Sequence, residues 1–417
     1  MLRNLVCLIV ILGIGFALGC PSGVAVAQDS EVGETKDVDA VVTAWDAYQK
    51  GKEAYQATRK QLVADHKAGK ISTDDANDKL KEAQEVFLPL QDAFLGSMEK
   101  ADWKAYAGDA HREMLDLGLY LLGLKHTKDG AYASSAKAYE AQLEMCPDSE
   151  HSLEIRYQRL PQALVAAGEL ENALIRAGEL VESAGDDEKP LLMVALGDLR
   201  AASGDVGAAV MTYKGVLELT GEETLQRNDP RRGAQGLASN RLLYVGRPAR
   251  DFAGATWVGA EAKSISDLKG SIVVFHHCEI ASLSSRQAMR RHDDIYKHNK
   301  DRQLVVVGLT CDRGRGFKPS DRDDLSKGEV IRDIAQEAYA EHISEFRELA
   351  DISYPFVLAP VLQILAHDFQ KSPGWAVVNR EGVVVLKTQG EGNQCMMEAC
   401  VDALLAKDNA EGDEKDK

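Results

Sequence analysis

From Asp37 to His66, and again from Ser72 to Lys100, apolar residues recur three and four positions apart with none of the alternation of a strand. Ala40, Val41, Ala44, Trp45 and Tyr48 form one stripe, and Leu80, Ala83, Val86, Phe87, Leu90 and Phe94 form the other. Gly69 and Ser72-Thr73-Asp74 supply the stop and start signals between them, so the pattern predicts an antiparallel helical hairpin. Beyond it the pattern repeats weakly. Leu122-Gly123, Gly130, Tyr132, Ser135, Tyr139 and Pro147 are followed by Leu160, Gly168, Ala173 and Leu180, then by Leu196-Gly197, Gly204, Ala209, Tyr213 and Val216. Small residues let one helix approach its partner, large ones fill the groove, and glycine permits the turn; stacked units of this kind bury one continuous core.

Gly221 to Asn240 holds Pro230, glycines and the charge cluster Arg227, Asp229, Arg231 and Arg232, the composition of an exposed connection. Residues 224–244 are read as a linker. The pattern then changes period. Ile272 to Phe275 and Leu304 to Leu309 are short β-branched runs of the kind buried in parallel sheets, with a helical stretch, Leu283 to Lys300, between them. Lys327 to Leu349 reads as a second helix. Phe356 to Leu358, Trp375 to Val378 and Val383 to Leu386 read as strands, the last two joined by Asn379-Arg380-Glu381-Gly382. Met396 to Ala406 closes as a helix, and 407–417 is expected to be a disordered charged tail. The expected organisation is a multidomain α plus α/β chain: segment 1–27 for targeting, a polar mobile segment 28–36, an all-α domain 37–223, the linker, and an α/β domain 245–406.

Composition changes this picture in two places. A net charge of −17 sets a repulsive field against nucleic acid and anionic membranes, so no nucleic-acid partner is expected. The first residues read as an export signal: Arg3, an apolar run from Leu5 to Leu18 and Ala25-Val26-Ala27 before Gln28. Ala17-Leu18-Gly19-Cys20 offers the alternative of a lipid anchor at Cys20, the only route to a membrane. Both place the mature protein outside the cytoplasm, where disulfides can form. Cleavage after Ala27 leaves Cys146, Cys278, Cys311, Cys395 and Cys400, an odd number and too sparse for a disulfide scaffold.

Over Leu115 to Glu223 the chain resembles tetratricopeptide-repeat proteins, whose period is about 34 residues. It departs from them at Pro161, where a small residue would stand, and in its turn glycines Gly130, Gly168 and Gly204, which lie further apart than that period. The resemblance implies binding of a protein or peptide partner. Val245-Gly246-Arg247-Pro248-Ala249-Arg250-Asp251-Phe252, then Leu268-Lys269-Gly270, Ser285-Arg286 with Met289, and Ser372-Pro373 before the strand at Val377, resemble the thioredoxin-like redoxin family that includes the TlpA-type thiol-disulfide oxidoreductases. The family implies a thioredoxin-like α/β fold with a dithiol at a helix N-terminus and a cis-proline opposite it.

At the positions the resemblance assigns to the two sulfurs, this chain has Ser282 and Ser285. A hydroxyl cannot form a disulfide, and Ser284 with Gln287 fits a capping box, so the serines are expected to cap the helix. Cys278, just beyond a predicted parallel strand, is the remaining candidate nucleophile, with Cys311 past the next strand as resolving thiol. Arg286, Arg290, Arg313 and Arg315 are candidates to lower a thiol pKa. His276, Arg286, Pro373 and Trp375 are expected to line the former active-site groove. His276-His277-Cys278 raises a soft-metal alternative, although neighbouring strand residues face opposite sides. His367 would be a further donor. No cofactor is expected. Two functions from different classes follow: a non-catalytic binding module, or a thiol-disulfide oxidoreductase working through Cys278 and Cys311.

Overall fold

A computed structural model describes residues 35–221, 225–252, 254–366, 369 and 372–415. The expected export signal, Cys20 and His367 lie outside the described residues. Helices α1 (Thr35–Lys67) and α2 (Thr73–Lys100) form the predicted hairpin, and the Ser72 hydroxyl caps the second by accepting from Asp75 N–H at 3.0 Å. Aromatic rings close the hairpin, Trp45 against Phe94 and Tyr48 against Phe87, with centroids 5.2 and 5.6 Å apart.

Three helix pairs follow. They are α3 (Arg112–Lys128) with α4 (Tyr132–Met145), α5 with α6 (Leu170–Ser183), and α7 (Lys189–Ala202) with α8 (Val206–Thr220). Helix α5 runs from Ser152 to Ala166 through a π-turn at Ile155–Arg159. Gly130, Gly168 and Gly204 turn each pair with φ of +74°, +81° and +74°, where a side chain would be strained. In the first and third pairs a glycine meets a tyrosine: a Cβ on Gly123 would lie 2.3 Å from the Tyr139 ring, and one on Gly197 2.4 Å from the Tyr213 ring. The middle pair differs at the corresponding positions. The buried Pro161 takes the glycine's place and Ala177, buried too, takes the tyrosine's.

The segment read as a linker is largely a helix, α9 (Arg232–Tyr244), which packs on α7 and α8. Ala234, Ala238 and Arg241 form its buried stripe, and the glycines and charges between them hid that period. Arg241 reaches both carboxylate oxygens of Asp198, at 2.8 and 3.0 Å, while Tyr213 Oη–H donates to the same carboxylate at 2.6 Å.

The described residues of the α/β part form eight strands: β1 (Thr256–Val258), β2 (Ile272–His277), β3 (Leu304–Thr310), β4 (Arg315–Pro319), β5 (Gly328–Arg332), β6 (Phe356–Leu358), β7 (Gly374–Val378) and β8 (Val384–Gln389). Six form one mixed sheet in the order β1-β6-β3-β2-β7-β8, in which β2, β3 and β6 run parallel. Strands β4 and β5 pair as a separate antiparallel ribbon. The expected helix from Lys327 is therefore corrected: its first part is β5, and helix α11 starts only at Tyr339 and ends at Leu349. Strand β5 is mostly exposed, so the sequence there carries no alternation to betray it.

One face of the large sheet is deeply covered by α10 (Leu283–Asn299), α11 and α13 (Gln394–Lys415). Its core is continuous with that of the helix pairs, so Tyr213 and Leu199 belong to the same buried cluster as Val377 and Met397. Helix α13 does not stop at Ala406; it runs to Lys415, and Lys407 Nζ donates to Gly204 O at 2.9 Å, tying it to the turn of the third pair. Gln162 and Asn393 bond at 2.9 Å across the same junction. The other sheet face is covered more lightly, by loops, Tyr244 and the short helix α12 (Val361–Ala366).

Candidate functional site

Strand β2 carries the chemistry-bearing residues out of the core one by one, and its period of two assigns them to faces. His276 aligns with Gly308 of β3 and Trp375 of β7, on the face covered by α10. His277 faces the other way, its ring stacked on Phe369 at 5.2 Å. The two histidines therefore cannot converge on one ion with Cys278, and among the described residues no three His, Cys, Asp or Glu side chains are grouped to hold a metal.

His276 instead joins a buried relay. Trp375 Nε1–H donates to His292 Nε2 at 2.9 Å, which leaves the proton of a neutral His292 on Nδ1. That nitrogen lies 3.1 Å from His276 Nδ1, which must then accept, so His276 carries its proton on Nε2. Among the described residues, that Nε2 has no hydrogen-bond partner. The order of donors holds both rings neutral, and burial lowers both pKa values: His276 well below the usual histidine range, and His292 down to about 3.

Cys278 extends the ladder beyond β2, its N–H donating to Leu309 O at 2.9 Å. Its side chain packs into the core with Met289, Tyr339 and Tyr354, whereas Cys311 packs on the opposite face with Val307, Leu309 and Val357. Both are free thiols and both are buried. Burial pushes the Cys278 thiol far up, and the neighbouring Cys311 adds to the rise. Burial also raises Cys311, although Arg313 works against it. The adjoining strand ends thus bring the sulfurs near in sequence register while the pleat directs them to different cores, an outcome the period-two rule contained.

The helix entrance is organised differently from the capping-box expectation. Ser282 occupies the N-cap position of α10 without a capping bond, and its hydroxyl lies 3.0 Å from that of Ser284. Ser285 is fully buried, and its Oγ accepts from Glu279 N–H at 3.2 Å, fixing the loop that leads out of β2. The residue that sequence reasoning undervalued is Arg286. Its Nε donates to Leu325 O at 2.7 Å, another guanidinium nitrogen donates to Ile280 O at 3.0 Å, and the group lies 3.5 Å over the Phe317 ring. Burial lowers its pKa to about 10. One side chain thereby binds the post-β2 loop, the start of α10 and the β4–β5 ribbon.

The expected groove residues lie inside this arrangement and not on an open wall. His276, Arg286, Pro373 and Trp375 are all buried, and the Ser372–Pro373 peptide is cis. For Arg286 the cover is the β4–β5 ribbon, whose second strand lies within the stretch expected to be helix from Lys327. Arg286→Lys keeps the charge but cannot serve two carbonyls in a fork; a loss of about 2 kcal/mol in urea unfolding is expected, with faster proteolysis in the ribbon.

No protein-family model matches the chain, and no curated protein matches it. Among solved structures, it is similar to a thioredoxin-family thiol:disulfide interchange protein from Chlorobium tepidum, at 15% identity, covering 38% of this chain and 97% of that one, with a TM-score of 0.29. It is also similar to a thioredoxin-like protein from Bacteroides caccae, at 13% identity, covering 64% of this chain and 93% of that one, with a TM-score of 0.31.

Proposed function

We propose that the chain is an exported, non-catalytic binding module in which tetratricopeptide-like helix pairs hold a protein or peptide partner and a TlpA-type thioredoxin-like domain, devoid of its dithiol, serves as a rigid companion. The observation that carries the reading is the use of Ser285. At a position where the resemblance calls for sulfur stands a fully buried hydroxyl that accepts a loop amide. The nearest thiol, Cys278, is buried on the core side with its ionisation suppressed, the opposite of the exposed, electropositive setting that activates a cysteine.

Two measurements test this. The protein is expected to show no turnover in a disulfide-reductase assay, and Cys278→Ser is expected to leave that baseline unchanged; robust turnover abolished by Cys278→Ser establishes the oxidoreductase reading instead. Native alkylation followed by mass spectrometry is expected to label Cys395 first, slowly, since it alone among the described thiols is partly exposed although burial pushes its pKa up to about 12. Rapid labelling of Cys278, or a Cys278–Cys311 disulfide in protein purified without reductant, overturns the proposal.

A further inference from the structure

The β4–β5 ribbon has one closed edge and one open edge. On the β4 side, Tyr339 Oη–H donates to Arg315 O at 3.0 Å and Phe317 N–H donates to His342 Nε2 at 3.2 Å, both partners standing on α11. Those two bonds fix the parity of the ladder. The backbone groups of Arg315 and Phe317 point away from β5, and Pro319, two positions on, has no N–H to offer on that side. Residues directly opposite in an antiparallel pair share one sense. Arg315, Phe317 and Pro319 stand opposite Arg332, Val330 and Gly328, so these three residues of β5 turn their N–H and C=O groups outward. The inward bond from Ser320 N–H to Lys327 O, at 3.1 Å, keeps the same alternation. Among the described residues no hydrogen bond reaches the outward groups of β5, and the strand is mostly exposed. The ribbon beneath is held still by α11 and by Arg286, whose Nε donates to Leu325 O in the connecting loop. A template already in strand conformation spares an incoming chain the cost of ordering it.

Side chains select what can dock there. Lys318 faces Glu329 across the ladder, a matched pair, whereas Arg315 faces Arg332; both arginines are exposed, and neither forms an ion pair among the described residues. Like charges directly opposite are unfavourable, and a carboxylate brought beside Arg332 relieves them. On the same ribbon face Val330 is 37% exposed, a cross-strand partner for one apolar side chain. We propose that β5 accepts an extended peptide as a third, antiparallel strand, with an apolar residue opposite Val330 and an acidic residue two positions before it, opposite Arg332. This surface is separate from the helical array, and its occupation does not rest on partner binding there.

Fluorescence anisotropy of the full chain with the labelled peptide Ser-Thr-Glu-Thr-Val-Thr-Gly-Ser tests the assignment. Saturable binding is expected, weakened at least about tenfold when the peptide's valine is N-methylated or its glutamate is replaced by lysine. Val330→Pro deletes an outward N–H and no bond of the β4–β5 ladder, so the ribbon is expected to stay folded while binding falls at least about tenfold. Arg332→Gln, at an exposed side chain, is expected to weaken the glutamate peptide about fivefold or more and to leave the lysine peptide no weaker. Absence of saturable binding at about 1 mM peptide, equal affinity for the N-methylated peptide, or affinity untouched by both substitutions overturns the proposal. A concentration-dependent dimer in sedimentation velocity that Val330→Pro abolishes overturns it as well, assigning the edge to a second copy of the chain.

Discussion

Lowering the pH from 6.5 to 5 weakens the native state by about 2 kcal/mol through His292 alone. Its folded pKa is depressed to about 3 by burial and, secondarily, by Arg291, whereas the unfolded chain titrates near the ordinary histidine value. Between those two values the unfolded state binds the extra proton. The stabilisation is therefore whole above about pH 6.5 and is lost progressively as pH falls toward 3. His276 shifts in the same direction and adds to the slope. Protonating His292 also forces apart its bond with Trp375 Nε1–H, because a charged imidazole accepts nothing. Urea unfolding at pH 7, 6 and 5 gives the slope directly. His292→Gln removes the titration, so its slope between pH 6.5 and 5 is expected to be shallower by about 1 kcal/mol per pH unit on average, whatever its absolute stability. An unchanged slope in that variant shows that His292 is not neutral in the folded protein.

What the sequence made legible follows from how strongly each period is enforced. The core strands Ile272–His277, Leu304–Thr310 and Gly374–Val378 are buried on both faces, so their β-branched runs stood out. Strand β5 lies on the surface, and α9 carries its buried stripe on two alanines and an arginine, so neither announced itself. Local capping chemistry was misread for a related reason: a serine's partner depends on what tertiary packing brings to it. Ser285 found the amide of Glu279 across the loop, and Arg286 found Leu325 in a ribbon 39 positions away. Facing was available from the start. The alternation that separates His276 from His277 also separates Cys278 from Cys311.

Gly197→Ala is expected to destabilise the helical array by about 2–3 kcal/mol, although alanine is ordinarily the better helix former by about 1 kcal/mol. The reversal has one cause. The new methyl would stand 2.4 Å from the Tyr213 ring, and that ring cannot retreat freely because its hydroxyl donates to Asp198, which is itself held by Arg241 on α9. Moving the ring strains α7, α8 and α9 together. If this contact is the cause, removing the ring restores alanine's ordinary advantage. In a Tyr213→Ala background, itself much less stable, adding Gly197→Ala is expected to stabilise by up to about 1 kcal/mol. The middle pair differs at both positions, with Pro161 in place of the glycine and Ala177 in place of the tyrosine. Denaturant unfolding of the four proteins of the cycle gives the sign in each background. Gly197→Ala that is neutral or stabilising with Tyr213 present excludes the glycine–tyrosine contact as the element that sets the spacing of these helix pairs.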